Sequence, residues 1–399
     1  MKSNNQFDAT PSALGYIYQI RYALLIGLKR IREVDDPDNC LISIETLDDI
    51  AFEVGGDPAE LLQTKYHGKP GNVTDRSSDL WKTIRVWAET IKDHTNELEE
   101  ITFTLITTQL ARTDSIASML DVNRKKSNIE SALKRMRDIS SETNNKENSA
   151  AYSAFNSLNH DQQKHLVEST YVITGGPSIL SVEEQIRKEI RLSVSSHFVN
   201  SFVTRLEGIW FKRNIEIMAS DAHATISLGE LASIVDDLRS QFLPGNLPSD
   251  FDDELPDVID IENDARVFVE QLRLIDATDR VIKLAIINYY RAYEQRSRWV
   301  REGLVNPGEI GKYLSRLKDE WSNQASLLDM DMGTELTPLD FGAKLYRACQ
   351  TQGALPIRSG FKPAYVSRGS YHSLSESLDV GWHPEFENLL VPANDQEVG

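Results

Sequence analysis

The chain has 399 residues, enough for two or three domains and at least one large core. Its 40% hydrophobic and 26% charged residues are ordinary for a globular protein; no apolar run approaches a membrane span, and the opening MKSNNQFDATPSALG lacks the basic start and apolar core of a signal peptide. The formal net charge of −18 argues against a free-standing DNA binder, because phosphate contacts drive such affinity; action on DNA would need a local basic patch or a partner that brings the DNA.

The spacing predicts a first helix over 12–33, where Ile17, Ile20, Leu24, Leu28 and Ile31 recur at three- and four-residue steps behind Ser12 as cap. DDPDN is a turn. CLISIET, LDDIAFEV and ELLQTKYH then read as three short strands, with VGGDP turning between the second and third. Helical spacing returns over 79–95 and strands follow at ITFTLITT and STYVITGG, which makes a mixed α/β domain over 1–180 with a helical insertion over about 112–168. Within that insertion, ISSETNNKENSAAYS is polar and loop-like. One long amphipathic helix is expected over 182–219 and a shorter one over 227–242. LPGNLPSDFDDELPD is the clearest linker and closes a helical middle region, 181–255. The rest, 256–399, reads as a helical partner-binding domain with one or two long helices over 263–304 and another starting at Asn306-Pro307. Cys40 and Cys349 have no metal-ligand spacing, which points to a reducing, cytoplasmic setting.

The chemistry concentrates in the first hairpin. Alternation places Asp49, Ala51 and Glu53 on one side of their strand, and Gln63 and Lys65 on one side of the next. If those faces coincide, a carboxylate, an amide oxygen and an ammonium meet at one end, with Glu45 as a second carboxylate. Mg²⁺ takes oxygen ligands of this kind and keeps several waters. It polarises a phosphate and acidifies its bound water, while a lysine beside it stabilises developing charge. A solvated edge hairpin would carry the same residues, so the spacing alone leaves both readings open.

The arrangement resembles the PD-(D/E)xK restriction-endonuclease superfamily, in the Mrr-like version whose last motif is QxK. GYIYQ, ISIETLDDIAFE and LLQTKYH are similar, more narrowly, to the nuclease domain of Lamassu-type and related anti-phage effectors. The resemblance implies a restriction-endonuclease-like mixed sheet flanked by helices, an α+β or α/β fold, followed by a mainly α-helical C-terminal region. It implies Mg²⁺, with Mn²⁺ as a substitute. Asp49 would be the main metal ligand, Gln63 would replace the usual acid as a metal ligand, and Lys65 would be the catalytic lysine. Glu45 would be a second metal ligand or would position the water. Asp48 rivals Asp49, since the strand phase is not fixed to one residue. Gln19 stands where Mrr-like relatives often place an acid and departs from that pattern.

AIINYYRAYEQRSRWVREGLV, LKDEWSN and FKPAYVSRGSYHSLSESLDVGWHPEF resemble the C-terminal domain of three-component bacterial defence systems built around an SMC-like ATPase. The implied partners are that ATPase, a small accessory subunit and double-stranded DNA. The implied control is restraint by the ATPase, then release and homo-oligomerisation. The function this gives is a Mg²⁺-dependent double-stranded DNA endonuclease in anti-phage or anti-plasmid defence. The rival is a non-catalytic scaffold linking the ATPase to DNA or to another effector; RNA cleavage by the same residues is a third.

Other features have plainer readings. The run 121–138 holds six basic and three acidic residues and reads as a solvated helix face or a phosphate track. Arg291, Arg296, Arg298 and Arg301 interleave with Tyr289, Tyr290, Tyr293 and Trp299, which favours a protein interface over a single-strand platform. His372 and His383 fit packing or loop hydrogen bonding better than zinc. ITGGP lacks the spacing of a phosphate loop, so no ATP is expected on this chain.

Overall fold

Helix α1 (Thr10–Arg30) leads into β1 (Cys40–Ile44), β2 (Ile50–Val54) and β3 (Asp57–Lys65). This computed structural model describes residues 10–93, 101–142, 144–220, 225–330 and 336–390; the predicted helix end at Thr95 lies outside them. Gly55 (φ 67°) and Gly56 (φ 93°) supply the left-handed backbone that a two-residue hairpin loop demands, and Val54 faces Asp57 across it. Then come β4 (Asn72–Val73), α2 (Ser78–Asp93), β5 (Thr102–Thr107) and β6 (Leu110–Ala111). Four helices follow, α3 (Ile116–Met119), α4 (Lys126–Ser140), α5 (Ser149–Ser157) and α6 (His160–Ser169), and β7 (Thr170–Ile173) returns to the sheet. The expected loop over 139–153 is shorter than its composition suggests, because Ala151, Tyr152 and Phe155 give α5 a buried face.

The expected long helix over 182–219 is two helices, α7 (Ile179–Ile190) and α8 (Val199–Met218), with a short 3₁₀ turn, Ser196–Phe198, between them. Ser193, Ser195 and Ser196 fall at the break; serine hydroxyls compete for backbone partners and weaken a helix interior. β8 (Ile226–Ser227) and α9 (Leu228–Gln241) follow. The six-stranded sheet has the order β7-β5-β3-β2-β1-β8, antiparallel among β3, β2, β1 and β8 and parallel among β3, β5 and β7. β4 and β6 form a separate parallel pair.

Period-two alternation sends Leu61, Phe103, Leu105 and Val172 into one core with Trp81, Ile84, Trp87, Phe155 and Leu166 of α2, α5 and α6. α1 packs with α7 and α8: Trp210 donates its indole N–H to Ile20 O at 2.8 Å, and Arg21 pairs with Glu207 at 2.7 Å. Two compact units divide between Leu238 and Arg239, so α7, α8 and β8 belong with the sheet.

The second unit holds α10 (Val267–Arg273), α11 (Asp279–Arg301), α12 (Pro307–Met330), α13 (Pro338–Gln350), α14 (Tyr365–Glu376) and α15 (Phe386–Leu390). Asn306 caps α12, accepting from Glu309 N at 2.9 Å, with Pro307 at the first helical position. The stretch read as a linker is strapped along α11. Asp250 N donates to Gln295 Oε1 at 2.6 Å, Trp299 Nε1 to Pro248 O at 2.8 Å and Arg291 Nε to Glu254 O at 2.6 Å. Those bonds use Arg291 and Trp299 of the arginine and aromatic pattern of α11. No helix of the described residues is long and apolar enough to cross a membrane, and both cysteines are free and buried.

His372 is fully buried on α14 between Phe268 and Tyr346, and neither ring nitrogen has a hydrogen-bond partner. Burial lowers its pKa to about 3. The unfolded chain takes up this proton below about pH 6.5, so it binds more protons than the folded chain between about pH 6.5 and 3. Stability therefore falls as pH drops through that window, by about 2 kcal/mol at pH 5 from this group. Urea unfolding of the full chain at pH 7 and pH 5, followed by tryptophan fluorescence, measures the loss. His372→Leu is expected to remove that share of the acid sensitivity.

Candidate active site

β2 begins only at Ile50, so Asp48 and Asp49 sit in the turn before it, one step outside the expected alternation. Both reach β3 from there. Gln63 donates its amide Nε2 to Asp48 Oδ1, which also accepts from Asp49 N at 2.9 Å. Trp87 of α2 donates to Asp48 Oδ2 at 2.7 Å. Asp49 Oδ2 accepts from Thr64 N at 2.7 Å and Thr64 Oγ1 at 3.3 Å, continuing the edge of the ladder with a side chain. Lys65 Nζ donates to Gln63 Oε1 at 2.6 Å and stands 3.6 Å from Asp49 Oδ2. The acid, amide and ammonium anticipated from the hairpin thus meet at one end of β3, and both aspartates take part.

Glu45 lies just past β1 with a left-handed backbone (φ 57°), its N–H closing the turn onto Asp49 O at 3.2 Å. Its carboxyl is raised by burial and by the negative charge of Asp49, against a hydrogen bond from Gln19 and the charge of Lys65. Gln19, on α1, is buried and its Oε1 has no hydrogen-bond partner. Burial pushes the Asp48 carboxyl up to about 6, against the hydrogen bonds from Gln63 and Trp87.

Among the described residues, no three His, Cys, Asp or Glu side chains form a ready-made metal cage. The donor set still suits a hard dication that keeps its waters. Glu45 and Asp49 offer carboxylate oxygens and Gln63 an amide oxygen, and the crowded negative charge would be relieved by a cation. Gln63 Oε1 would have to exchange its hydrogen bond from Lys65 for the metal.

In sequence, Trp87 is only an apolar position within the helical spacing of 79–95, with no sign of its bond to Asp48. Trp87→Phe leaves a buried carboxylate one donor short and is expected to cost about 1.5–3 kcal/mol in thermal unfolding. In an Asp48→Asn background the loss should shrink, and the double-mutant cycle isolates the bond. Also missed was a His67–Asp79 pair, with Nε2 at 2.6 Å from Oδ2. A histidine two residues past Lys65 and an aspartate in the first turn of α2 were its only signals.

Other features are spent on structure. In the basic run, Arg124 stacks 3.8 Å over Tyr171, Arg135 pairs with Asp75 at 3.3 Å and Arg137 donates to Gln163 at 2.8 Å. In ITGGP, Gly175 N donates to Gln109 O at 2.7 Å and Gly176 N to Thr107 O at 2.9 Å, so neither is presented to a phosphate. His383 Nδ1 accepts from Glu385 N at 3.1 Å.

No curated protein matches the chain. Three solved structures of the Acinetobacter baumannii Cap4 SAVED/CARF-domain containing receptor are similar over 71% of this chain. The form with the cyclic trinucleotide 3′3′3′-cAAA has 13% identity, 66% of that chain covered and a TM-score of 0.32. The form with 2′3′3′-cAAA has 13%, 67% and 0.32, and the receptor described without a ligand has 12%, 69% and 0.31. Scores this low carry no argument about site or ligand. Residues 268–390 match the family model of C-terminal domain 7 of the ABC-three component (ABC-3C) systems. That match, which falls within the second unit, supports a component of a bacterial defence system.

Proposed function

We propose that the first unit is a metal-dependent phosphodiesterase that cuts double-stranded DNA as the effector arm of that defence system. The observation that carries this reading is the convergence of Asp48, Asp49, Gln63 and Lys65 where the turn before β2 meets the end of β3, with Glu45 at its rim. Mg²⁺ held by Asp49, Glu45 and Gln63 would polarise a phosphate and supply an activated water. Lys65 would stabilise the charge growing on the phosphate oxygens, and Asp48, buried behind Gln63, would hold the amide in place.

A system named for three components supports partner subunits. We read them as an SMC-like ATPase and a small accessory subunit, as in Lamassu-type assemblies. Tyr293, half exposed on α11, and the neighbouring Val300 are surface anchors for such contacts. Release of an acidic, single-site subunit would be followed by oligomerisation, which pairs sites for two strands. Cleavage that rises with protein concentration and tracks a change in mass is the expected sign of it.

A specific observation favours the rival scaffold: the Asp48–Gln63–Lys65 chain is satisfied internally, as a structural network would be. The deciding experiment is cleavage of linear and supercoiled duplex in Mg²⁺ or Mn²⁺, across protein concentrations, by the chain alone and with co-purified partners. Cutting that EDTA and Lys65→Ala abolish supports the nuclease; no cutting under any of these conditions overturns it. Parallel RNA substrates test the alternative nucleic acid.

A further inference from the structure

His67 is fixed more firmly than its surface position requires. Its N–H donates to Thr108 Oγ1 at 2.8 Å, and that hydroxyl donates back to His67 O at 3.1 Å. Ring Nε2 is tied to Asp79 at 2.6 Å, while the side chain stays 34% exposed. Backbone and ring are held, and part of the imidazole still meets solvent.

The anchor is α2, the helix that also supports Asp48. Trp87 and Asp79 are eight residues apart on it, about 12 Å at the helical rise. Gln63 lies on β3 and His67 four residues on, two past the strand's end at Lys65, a stretch of at most about 13 Å. α2 therefore pins both ends of one row: Trp87 acts through Asp48 on Gln63, Asp79 acts on His67, and Lys65 lies between. Lys65 and His67 are two residues apart, at most roughly 7 Å of chain, which is the scale of the entering and leaving oxygens of an in-line displacement at one phosphorus.

Resting on the phosphodiesterase reading above, the geometry points to His67 as a further catalytic residue, the proton donor to the leaving sugar oxygen, with Asp79 as its positioning residue. Water oxygen bonds to phosphorus and releases one proton to solvent, as the bond from phosphorus to the leaving oxygen breaks with its electron pair going to that oxygen. The imidazolium of His67 gives the leaving oxygen its Nδ1 proton, keeps Nε2–H on Asp79, and is reprotonated from solvent.

The test uses the full chain and two duplexes, one ordinary and one with sulfur in place of the leaving oxygen identified from the product ends. A thiolate departs without a proton. His67→Ala is expected to slow cleavage of ordinary DNA about 100-fold, yet to cut the sulfur substrate within about threefold of wild type. Lys65→Ala should stay defective on both. His67→Gln, which keeps a hydrogen-bonding side chain opposite Asp79, should show the same substrate dependence, with a thermal unfolding midpoint near wild type. Equal slowing on both substrates, or no slowing on ordinary DNA, overturns the role of His67 while the nuclease stands. Failure of the wild type to cut either duplex overturns both.

Discussion

Lys65→Ala is expected to lower duplex cleavage by at least about 100-fold, with the loss in kcat and little change in KM. The ammonium is the only cation in contact with both Gln63 and Asp49 among the described residues. Lys65→Arg should not restore the rate, because a planar guanidinium cannot occupy a point-charge position beside Gln63 Oε1. The fold should survive. The Lys65–Asp49 pair is partly exposed, with side-chain exposures of 23% and 12%, and such pairs contribute at most about 1 kcal/mol. Normal thermal unfolding with lost cleavage is the expected pair of results; cleavage at the wild-type rate would remove Lys65 from the mechanism.

The largest expected effect on stability lies in the second unit, at Gly369. There α14 crosses α11 so closely that a β-carbon would stand 1.9 Å from Asn288 O, 2.5 Å from Asn288 C and 2.6 Å from Ala292 Cβ. Two of these atoms belong to helix backbone, which cannot rotate away. Gly369→Ala must push the helices apart, breaking the 2.8 Å bond from Arg296 to Ser373 Oγ and loosening the core around His372. A cost of about 3 kcal/mol is expected, the upper part of the range for an overpacked core. Urea unfolding of the full chain, read by tryptophan fluorescence, should show a lowered midpoint for the transition of this unit. Gly208, on an open face with nothing within 4 Å of its β-carbon position, is the control site, and Gly208→Ala should be neutral or stabilising.

Local rules reached the hairpin and the candidate row of Gln63 and Lys65 because both are written in short-range periodicities. Gly55-Gly56 named its own turn, and Gln63 and Lys65 shared a face by alternation. The same rule failed at Asp48 and Asp49, since pairing by backbone stops at Ile50 and side chains take over the contacts with β3. The supports were out of reach. Trp87 looks like any apolar helix position until α2 is laid over β3, and the strap from Leu247 to Glu254 reads as a linker until Gln295 and Trp299 are seen holding it. Helix breaks made by serine, as between α7 and α8, are invisible to amphipathic spacing because the apolar stripe continues through them.

β8 gives the sheet a timetable. Every residue of the candidate row has been synthesised by His67, but the outer edge of β1 waits for Ile226 and Ser227 to pair with Ile42 and Leu41. At ordinary synthesis rates that interval is roughly ten to thirty seconds. Through it, the nascent chain carries that row on an incomplete sheet with a bare edge, a template for wrong pairing. The residues of the candidate site would thus be made early, and the sheet that holds them completed late.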